Sequence, residues 1–532
     1  MADTQPFTVL IVGGGLVGSL ASLYFARRGW NVQVYEKRLD PRTDPTPSGR
    51  SINLALSVRG ISALQEVGVD EAILKTAIPM KGRMIHSLDG ELTSQPYGVF
   101  GEHINSIDRK LLNEHLLNSA DALSNVHTHF EHEMTQCDFD SKAVSFMKID
   151  GTKVTVKADL IIGADGAYSR VRQQMMRKVR MDFSQEYIDH EWVELTIPPR
   201  KDGSYAMNPN HLHIWPRQTF MMIALPNTDK SFTVTLFMPR DKFQSVRTES
   251  DLIRFFESTF PDAVPLIGLD LLVGEYFKNP KGSLVSIKCS PYHYQDRCVI
   301  IGDAAHAMVP FYGQGMNCGF EDIQALDEFI STHLSVAAPS GSTSPSPLAI
   351  GEALKAYSAS RHKDLVKIND LAMHNYVEMR SDVTKVGYLL RKKLEAALHR
   401  VAPSYVIPLY TMVSFSRIPY SEVMRRWERQ TYWLNVAGVI SGVAASVGLG
   451  VAYARYIGWR LFWYPAREDK SVTTIVATKV AGGGIWTALS GAYSAGRWKE
   501  SFDRAWHNLG GTEVTSWVSG AASSVGRYVG WK

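Results

Sequence analysis

The feature that most constrains this chain lies at its start. Phe7 to Val12 is a short, β-branched apolar run that ends in Gly13-Gly14-Gly15-Leu16-Val17-Gly18. A run of this kind, closed by glycines, reads as a buried parallel strand. Residues 16–28 follow with a helical pattern that stops near Gly29, and Val32–Glu36 alternates as a second strand. The unit is βαβ, so the chain is an α/β protein, and its glycines fall where a dinucleotide is held. Gly13 permits the tight turn, Gly15 lets a pyrophosphate approach the backbone, and Gly18 allows helix and strand to pack closely. The helix start then offers free N–H groups to the phosphates. Glu36, 18 residues past Gly18, is placed to accept from a ribose hydroxyl. Val17, Lys37 and Arg38 complete the set expected around the dinucleotide. Alone, this motif does not separate NAD from FAD.

Two further apolar runs also end in glycine, Ala158–Gly163 and Cys298–Gly302. Between them residues 187–240 alternate (Leu212, Ile214; Met222, Ala224; Phe232, Val234, Leu236), which predicts an antiparallel sheet. Residues 315–335 and 351–400 read as helical, and Val336–Leu348, rich in Pro, Ser and Gly, reads as an exposed, mobile loop. The expected organisation is a Rossmann-like dinucleotide-binding domain in two parts, 1–180 and 286–335. A sheet domain for substrate is inserted at 181–285, with a helical region at 350–430 and a hydrophobic tail at 431–532. A second glycine tract, Gly482–Gly484, follows no recognisable strand, so one dinucleotide domain is expected. No internal repeat is evident.

The second strand-to-turn junction reads Gly163-Ala-Asp165-Gly166-Ala-Tyr-Ser169-Arg-Val-Arg172, and the third reads Arg297-Cys-Val-Ile-Ile-Gly302-Asp303-Ala-Ala-His306, continuing to Gly313-Gln-Gly315-Met316-Asn317. Taken locally, the second is a capped turn. The three motifs in order, over about residues 7–380, resemble the flavin-dependent aromatic hydroxylases. In that family the Asp165 position sits near the FAD pyrophosphate and the region that NADPH visits. Asp303 would hold the ribityl chain. The amides near Met316 and Asn317, at a helix start with Gly315, would face the pyrimidine edge of the flavin and stabilise charge on it. Ala55 and Arg109 match positions that touch FAD. His306 corresponds to a position that is usually structural.

Further stretches match one branch of the family: residues 49–57 (GRSINLALS), 80–88 (MKGRMIHSL), 213–216 (HIWP), 237–239 (FMP), 310–317 (PFYGQGMN), 374–380 (HNYVEMR) and 408–413 (PLYTMV). The substrate this resemblance implies is an α-amino acid bearing an ortho-aminophenyl ketone, L-kynurenine. By resemblance, Arg83 and Tyr97 bind its carboxylate, and Asn375 and Tyr410 complete the polar end. Arginine suits that role because its planar fork meets a carboxylate with two bonds. Glu378, one turn beyond Asn375, would meet the ammonium group, and Phe237, Phe311 and Tyr312 would line the ring slot. The implied chemistry uses tightly bound FAD, NADPH as a transient co-substrate, and O2. A flavin C4a-hydroperoxide delivers the oxygen that gives 3-hydroxykynurenine. No catalytic side chain and no metal is expected.

Composition narrows the alternatives. The 57 Lys and Arg residues nearly balance the 53 Asp and Glu, with no dense basic stripe, so nucleic acid is not an expected partner. The four cysteines, Cys137, Cys289, Cys298 and Cys318, form no C-x-x-C pair, which argues against a zinc site or a redox dithiol. With no secretory or transit pattern ahead of Phe7, a reducing compartment is expected. From Gln430 to Ala454 there is no charged residue, while Arg425, Arg426 and Arg429 precede this stretch and Arg455 and Arg460 follow it. That length suits a membrane helix. Gly438, Gly442, Ser446, Gly450 and Ala454 would form one smooth ridge on it. Burial against the catalytic domain is the other reading of this helix. A second apolar run, Ser471–Ala495, is interrupted by Lys479. With such a tail the resemblance implies the mitochondrial outer membrane, the catalytic domain facing the cytosol. Oligomeric state stays open, a dimer included. Two rivals remain: another flavin monooxygenase or epoxidase with an apolar membrane substrate, and a flavin-fold carrier of prenylated partners with no redox activity.

Overall fold

The computed structural model describes residues 6–44, 53–337 and 345–463. The run Ser471–Ala495, the tract Gly482–Gly484, the residues Gly49–Ile52 and most of the loop at 336–348 lie outside them. The chain divides into two compact units after Tyr432.

In the first unit, Thr8–Val12 is the hub of a six-stranded sheet with Asn31–Tyr35 and Val126–His129 on one side. Leu160–Gly163, Cys298–Ile300 and His293–Tyr294 lie on the other. The strands run parallel apart from the His293–Tyr294 edge. Val9, Leu10 and Ile11 are fully buried, as a central parallel strand requires. All three glycine-ended strands are therefore neighbours, and their turns open at one end of the sheet.

A seven-stranded sheet forms the second layer, in the order Gly282–Ser290, Asp182–Ile197, Phe232–Pro239, Phe220–Pro226, His211–Arg217, Gly82–His86, Leu92–Pro96. The alternation at 187–240 foreshadows its middle strands. Gly82–His86, however, joins from the first part of the chain and pairs parallel to His211–Ile214. Both faces of this sheet are covered. Met222, Ala224, Val234 and Leu236 pack on Leu252, Phe256, Leu272 and Tyr276 of two helices, Glu249–Thr259 and Leu269–Lys278. Burying each such side chain contributes about 1.5–3 kcal/mol. The opposite face, with Leu212, Met221 and Phe237, belongs to the main core.

Helix Gly315–Ala337 packs against Pro347–Arg380. The helical reading of 351–400 divides in two. Pro347–Arg380 ends where Ser381 leaves helical geometry (φ −140°) and Thr384 Oγ1 donates to Ser381 O at 2.8 Å, and a second helix, Val386–Val401, follows. Polar side chains that bond their own backbone compete with helix continuation. All four cysteines are buried and free.

In the second unit the described residues continue the helix Tyr420–Trp463. Val439, Val447 and Leu449 are exposed on it. Among the described residues this is the one helix long and apolar enough to cross a membrane.

Candidate active site

The glycine turn is built as its spacing requires. Gly13 takes φ +107°, and a Cβ there would lie 2.4 Å from Ala164 O. A Cβ on Gly18 would lie 1.8 Å from Gly13 O, so this glycine serves packing. Around Gly15 no atom of the described residues comes within 4 Å of such a Cβ. Gly15 is the N-cap of Leu16–Arg27 and no side chain caps that helix, so its first N–H groups are available to an external anion. Glu36 accepts from Gly14 N at 2.8 Å and Arg38 N at 3.0 Å, which fixes its carboxylate beside the turn.

The other two motifs are stitched together. Asp165 accepts from Ser169 Oγ, Arg170 N and Val171 N, and burial raises its carboxyl pKa against those bonds. Arg172 donates to Ala167 O and to Ala304 O, both at 2.6 Å, so the second motif holds the third. Behind Asp303, the buried carboxylate of Asp322 accepts from Gly302 N and Arg361 and contacts His306 Nε2. His306 thus anchors this turn and does not line the cavity in front of it. Asn317 turns its side chain to Ala55 O, Gly313 O and Ser57 N, clamping the start of Gly315–Ala337 to strand Leu54–Leu56.

These parts surround a cavity of about 700 Å³. Gly13, Gly15, Val17, Glu36, Lys37, Arg38, Ala55, Arg109, Asp165, Asp303, Gly315 and Met316 line one stretch of it. Arg83, Phe237, Phe311, Tyr312, Asn375 and Tyr410 line the rest. Of the residues singled out from sequence, Gly18, Tyr97, Asn317 and Glu378 stand just behind its wall. The donor set suits FAD: an open glycine cradle, two helix starts for phosphate and pyrimidine, and carboxylates at Glu36 and Asp303 for hydroxyls.

At the far end, Arg83 is buried and comes from strand Gly82–His86. Its Nη1 donates to Glu378 at 2.8 Å and its Nη2 to Asn375 Oδ1 at 3.3 Å, while Nε has no partner among the described residues. Its guanidinium lies 4.9 Å from the Tyr410 ring centre, and Tyr410 stacks between Tyr97 (4.8 Å) and Tyr312 (5.6 Å). Tyr97 Oη is buried close to Tyr410 and Arg83 without hydrogen-bond geometry to either, and burial raises its pKa. Two orphaned donors beside a cation are what an incoming carboxylate satisfies. Burial would raise the Glu378 pKa, but Lys392, Arg83 and the Tyr388 hydroxyl hold it down at about 2. Asn375 Nδ2 donates to Phe311 O at 2.7 Å, fixing the aromatic wall in which Phe311 meets Phe237 at 5.0 Å and Tyr376 at 3.9 Å.

Sequence reasoning missed Leu212, Met221, Ile223, Leu225 and Met379 in this wall. The alternation at 220–226 signals two faces. Because both are apolar, it does not say which one meets the cavity.

The FAD binding domain family matches residues 6–344. Kynurenine 3-monooxygenase of Sus scrofa is 45% identical over 439 residues, covering 82% of this chain and 90% of that protein. The enzymes of Anopheles gambiae (47%; 84% and 90% covered) and Candida albicans (46%; 83% and 96%) are similarly related. The chain belongs to the kynurenine 3-monooxygenase family. It is an FAD-dependent monooxygenase, and NADPH as co-substrate is consistent with this family. Solved structures with the same fold include 2-methyl-3-hydroxypyridine-5-carboxylic acid oxygenase (TM-score 0.57, 19% identity, 72% of this chain and 95% of that one). Another is p-nitrophenol 4-monooxygenase of Pseudomonas putida (TM-score 0.56, 18% identity, 74% and 94%).

Proposed function

We propose that this protein hydroxylates L-kynurenine to 3-hydroxy-L-kynurenine with NADPH and O2, a step of tryptophan degradation that leads toward NAD. The observation that carries the reading is the buried Arg83 with an unpartnered Nε beside the unpartnered Tyr97 Oη, next to an apolar slot. An apolar substrate would leave those donors unsatisfied at a cost of about 1–3 kcal/mol each.

Gly13, Gly15, Val17, Glu36, Lys37, Arg38, Ala55, Arg109, Asp165, Asp303, Gly315, Met316 and Asn317 would hold FAD, with Gly18 packing its helix. Bound there and reduced by NADPH, FAD would supply the means of activating O2 for transfer to the substrate. Arg83 and Tyr97 take the substrate carboxylate, with Asn375 and Tyr410 beside them. Glu378 keeps Arg83 in place and offers its charge to the ammonium group. Phe237, Phe311 and Tyr312 hold the ring flat and exclude water. The substrate's own amino group enriches the carbon ortho to it, which sets the position of attack. No side chain has to act as a nucleophile or a base.

The division into a two-part FAD domain (1–180, 286–335), a sheet domain (181–285), a helical region (350–430) and a membrane-associating tail (431–532) is part of this reading. So is a place at the mitochondrial outer membrane with the catalytic unit in the cytosol. The long exposed apolar helix supports membrane association. The test is NADPH oxidation by purified protein with and without L-kynurenine, the product identified by mass. Stimulation with a gain of one oxygen establishes the reaction. A yellow, folded protein with no stimulation rejects this substrate.

A further inference from the structure

The helix Val386–Val401 is amphipathic in the reverse sense for a water-facing surface. Its buried residues are Glu395 and His399, and Tyr388, Arg391 and Lys392 are half-buried on the same inner side. Outward it presents Val386, Leu390, Leu394 and Val401, which are 73%, 62%, 52% and 87% exposed. Ala397 is exposed between them. A spacing of three to four residues places these on one stripe. Tyr405, just past the helix, is 84% exposed. Single exposed apolar residues are ordinary, but a continuous stripe backed by an inward-facing acid calls for an apolar partner.

Three observations identify that partner. Arg391 Nη2 donates to Thr431 Oγ1 at 2.7 Å, and Ile407 N donates to Gln430 Oε1 at 2.9 Å. The inner side of the helix and the segment that follows it are therefore fastened to the turn of helix Tyr420–Trp463 at which its uncharged stretch begins. Tyr432 and Trp433, the next two residues, are exposed, and such aromatics favour the headgroup level of a bilayer. Of the charged residues from Lys385 to Val401, those exposed are the cations Lys385, Lys393 and Arg400, while the acid Glu395 is buried, a balance suited to anionic lipid.

We propose that the outer face of Val386–Val401 lies in the interfacial layer of an anionic membrane, beside the point where the chain enters it. This rests on the reading that the protein is membrane-associated. The inner face of the same helix supports the substrate end: Tyr388 Oη donates to Glu378 at 2.8 Å, and Glu378 pairs with Arg83. Lipid thus holds from outside the helix that holds the carboxylate-binding arginine from within.

The test uses the full chain on vesicles of phosphatidylcholine and phosphatidylserine that carry a bilayer quencher. Because all four native cysteines are buried, Leu390→Cys and Leu394→Cys each accept a polarity-sensitive fluorophore selectively, and Ile149→Cys, at an 82% exposed position, is the control. Flavin absorbance verifies that each variant is folded. The expected result is a blue shift and loss of most of the fluorescence at 390 and 394, with none at 149. Vesicle-bound protein whose 390 and 394 probes stay unquenched overturns the proposal and leaves membrane association standing. Protein that does not bind vesicles overturns both.

Discussion

Arg83 Nη1 lies 2.8 Å from Glu378 Oε1, and both side chains are buried at the end of the cavity away from the glycine turn. The pair is incomplete, since Arg83 Nε has no hydrogen-bond partner among the described residues. Removing one member of a buried pair strands the other charge at about 3–5 kcal/mol. Arg83→Ala is therefore expected to lower the melting temperature and to cut L-kynurenine-stimulated NADPH oxidation about 100-fold or more, roughly 2.7 kcal/mol. Arg83→Lys keeps the charge but loses the fork and should fall between. Steady-state kcat/KM with thermal melts checks both. An alanine variant that still responds fully to substrate removes Arg83 from the site.

Glu378 gives a pH signature. Its carboxyl is held at about 2 in the folded protein against an ordinary 4.5. A group with a depressed folded value stabilises above its unfolded value and loses that contribution as pH falls through the folded one. Stability should thus decline from about pH 4.5 toward 2, on the order of 3 kcal/mol from this group. Glu378→Gln should flatten that limb in denaturant titrations over this range. An unchanged slope would show that Glu378 is not ionised in the folded protein.

His213 acts in a higher window. Burial pushes its ring down to about 3, against the bond it donates to Asn208 O and with the charge of His86 adding to the effect. The unfolded ring takes a proton below about 6.5 and the folded one does not, so stability falls from pH 6.5 downward by up to about 1.4 kcal/mol per pH unit. His213→Gln should remove that slope between pH 6.5 and 4.5, where Glu378 contributes little.

Gly15 and Gly18 separate cofactor binding from folding. A Cβ on Gly18 meets Gly13 O at 1.8 Å, whereas one on Gly15 meets no atom of the described residues within 4 Å. Gly15→Ala is expected to fold normally yet purify with little flavin. Gly18→Ala is expected to be insoluble or to melt far lower. Flavin absorbance per mole of protein and thermal unfolding distinguish the two. A fully yellow Gly15→Ala would place the pyrophosphate elsewhere.

The parts of the site legible in the sequence are those that local physics writes. A glycine at φ +107° between an apolar strand and a helix is readable because backbone geometry admits few other residues there, whereas the aspartates after the strand-ending glycines gain their meaning from the resemblance. Arg83, Tyr97, Asn375 and Tyr410 carry no such mark. Resemblance singled them out, since their meeting depends on residues far apart in the chain: Arg83 on an edge-side strand, Asn375 on a helix 292 residues later.

The sequence by itself determined the βαβ cradle, the three glycine-ended strands, the middle of the large sheet and the apolar C-terminal helix, because strand and helix periods and glycine conformations are local properties. Only the tertiary structure decided that Gly82–His86 joins that sheet parallel to His211–Ile214, that Met221, Ile223 and Leu225 rather than Met222 and Ala224 face the cavity, and that Glu378 stands behind Arg83. Each depends on contacts between distant segments, which neither alternation nor composition encodes.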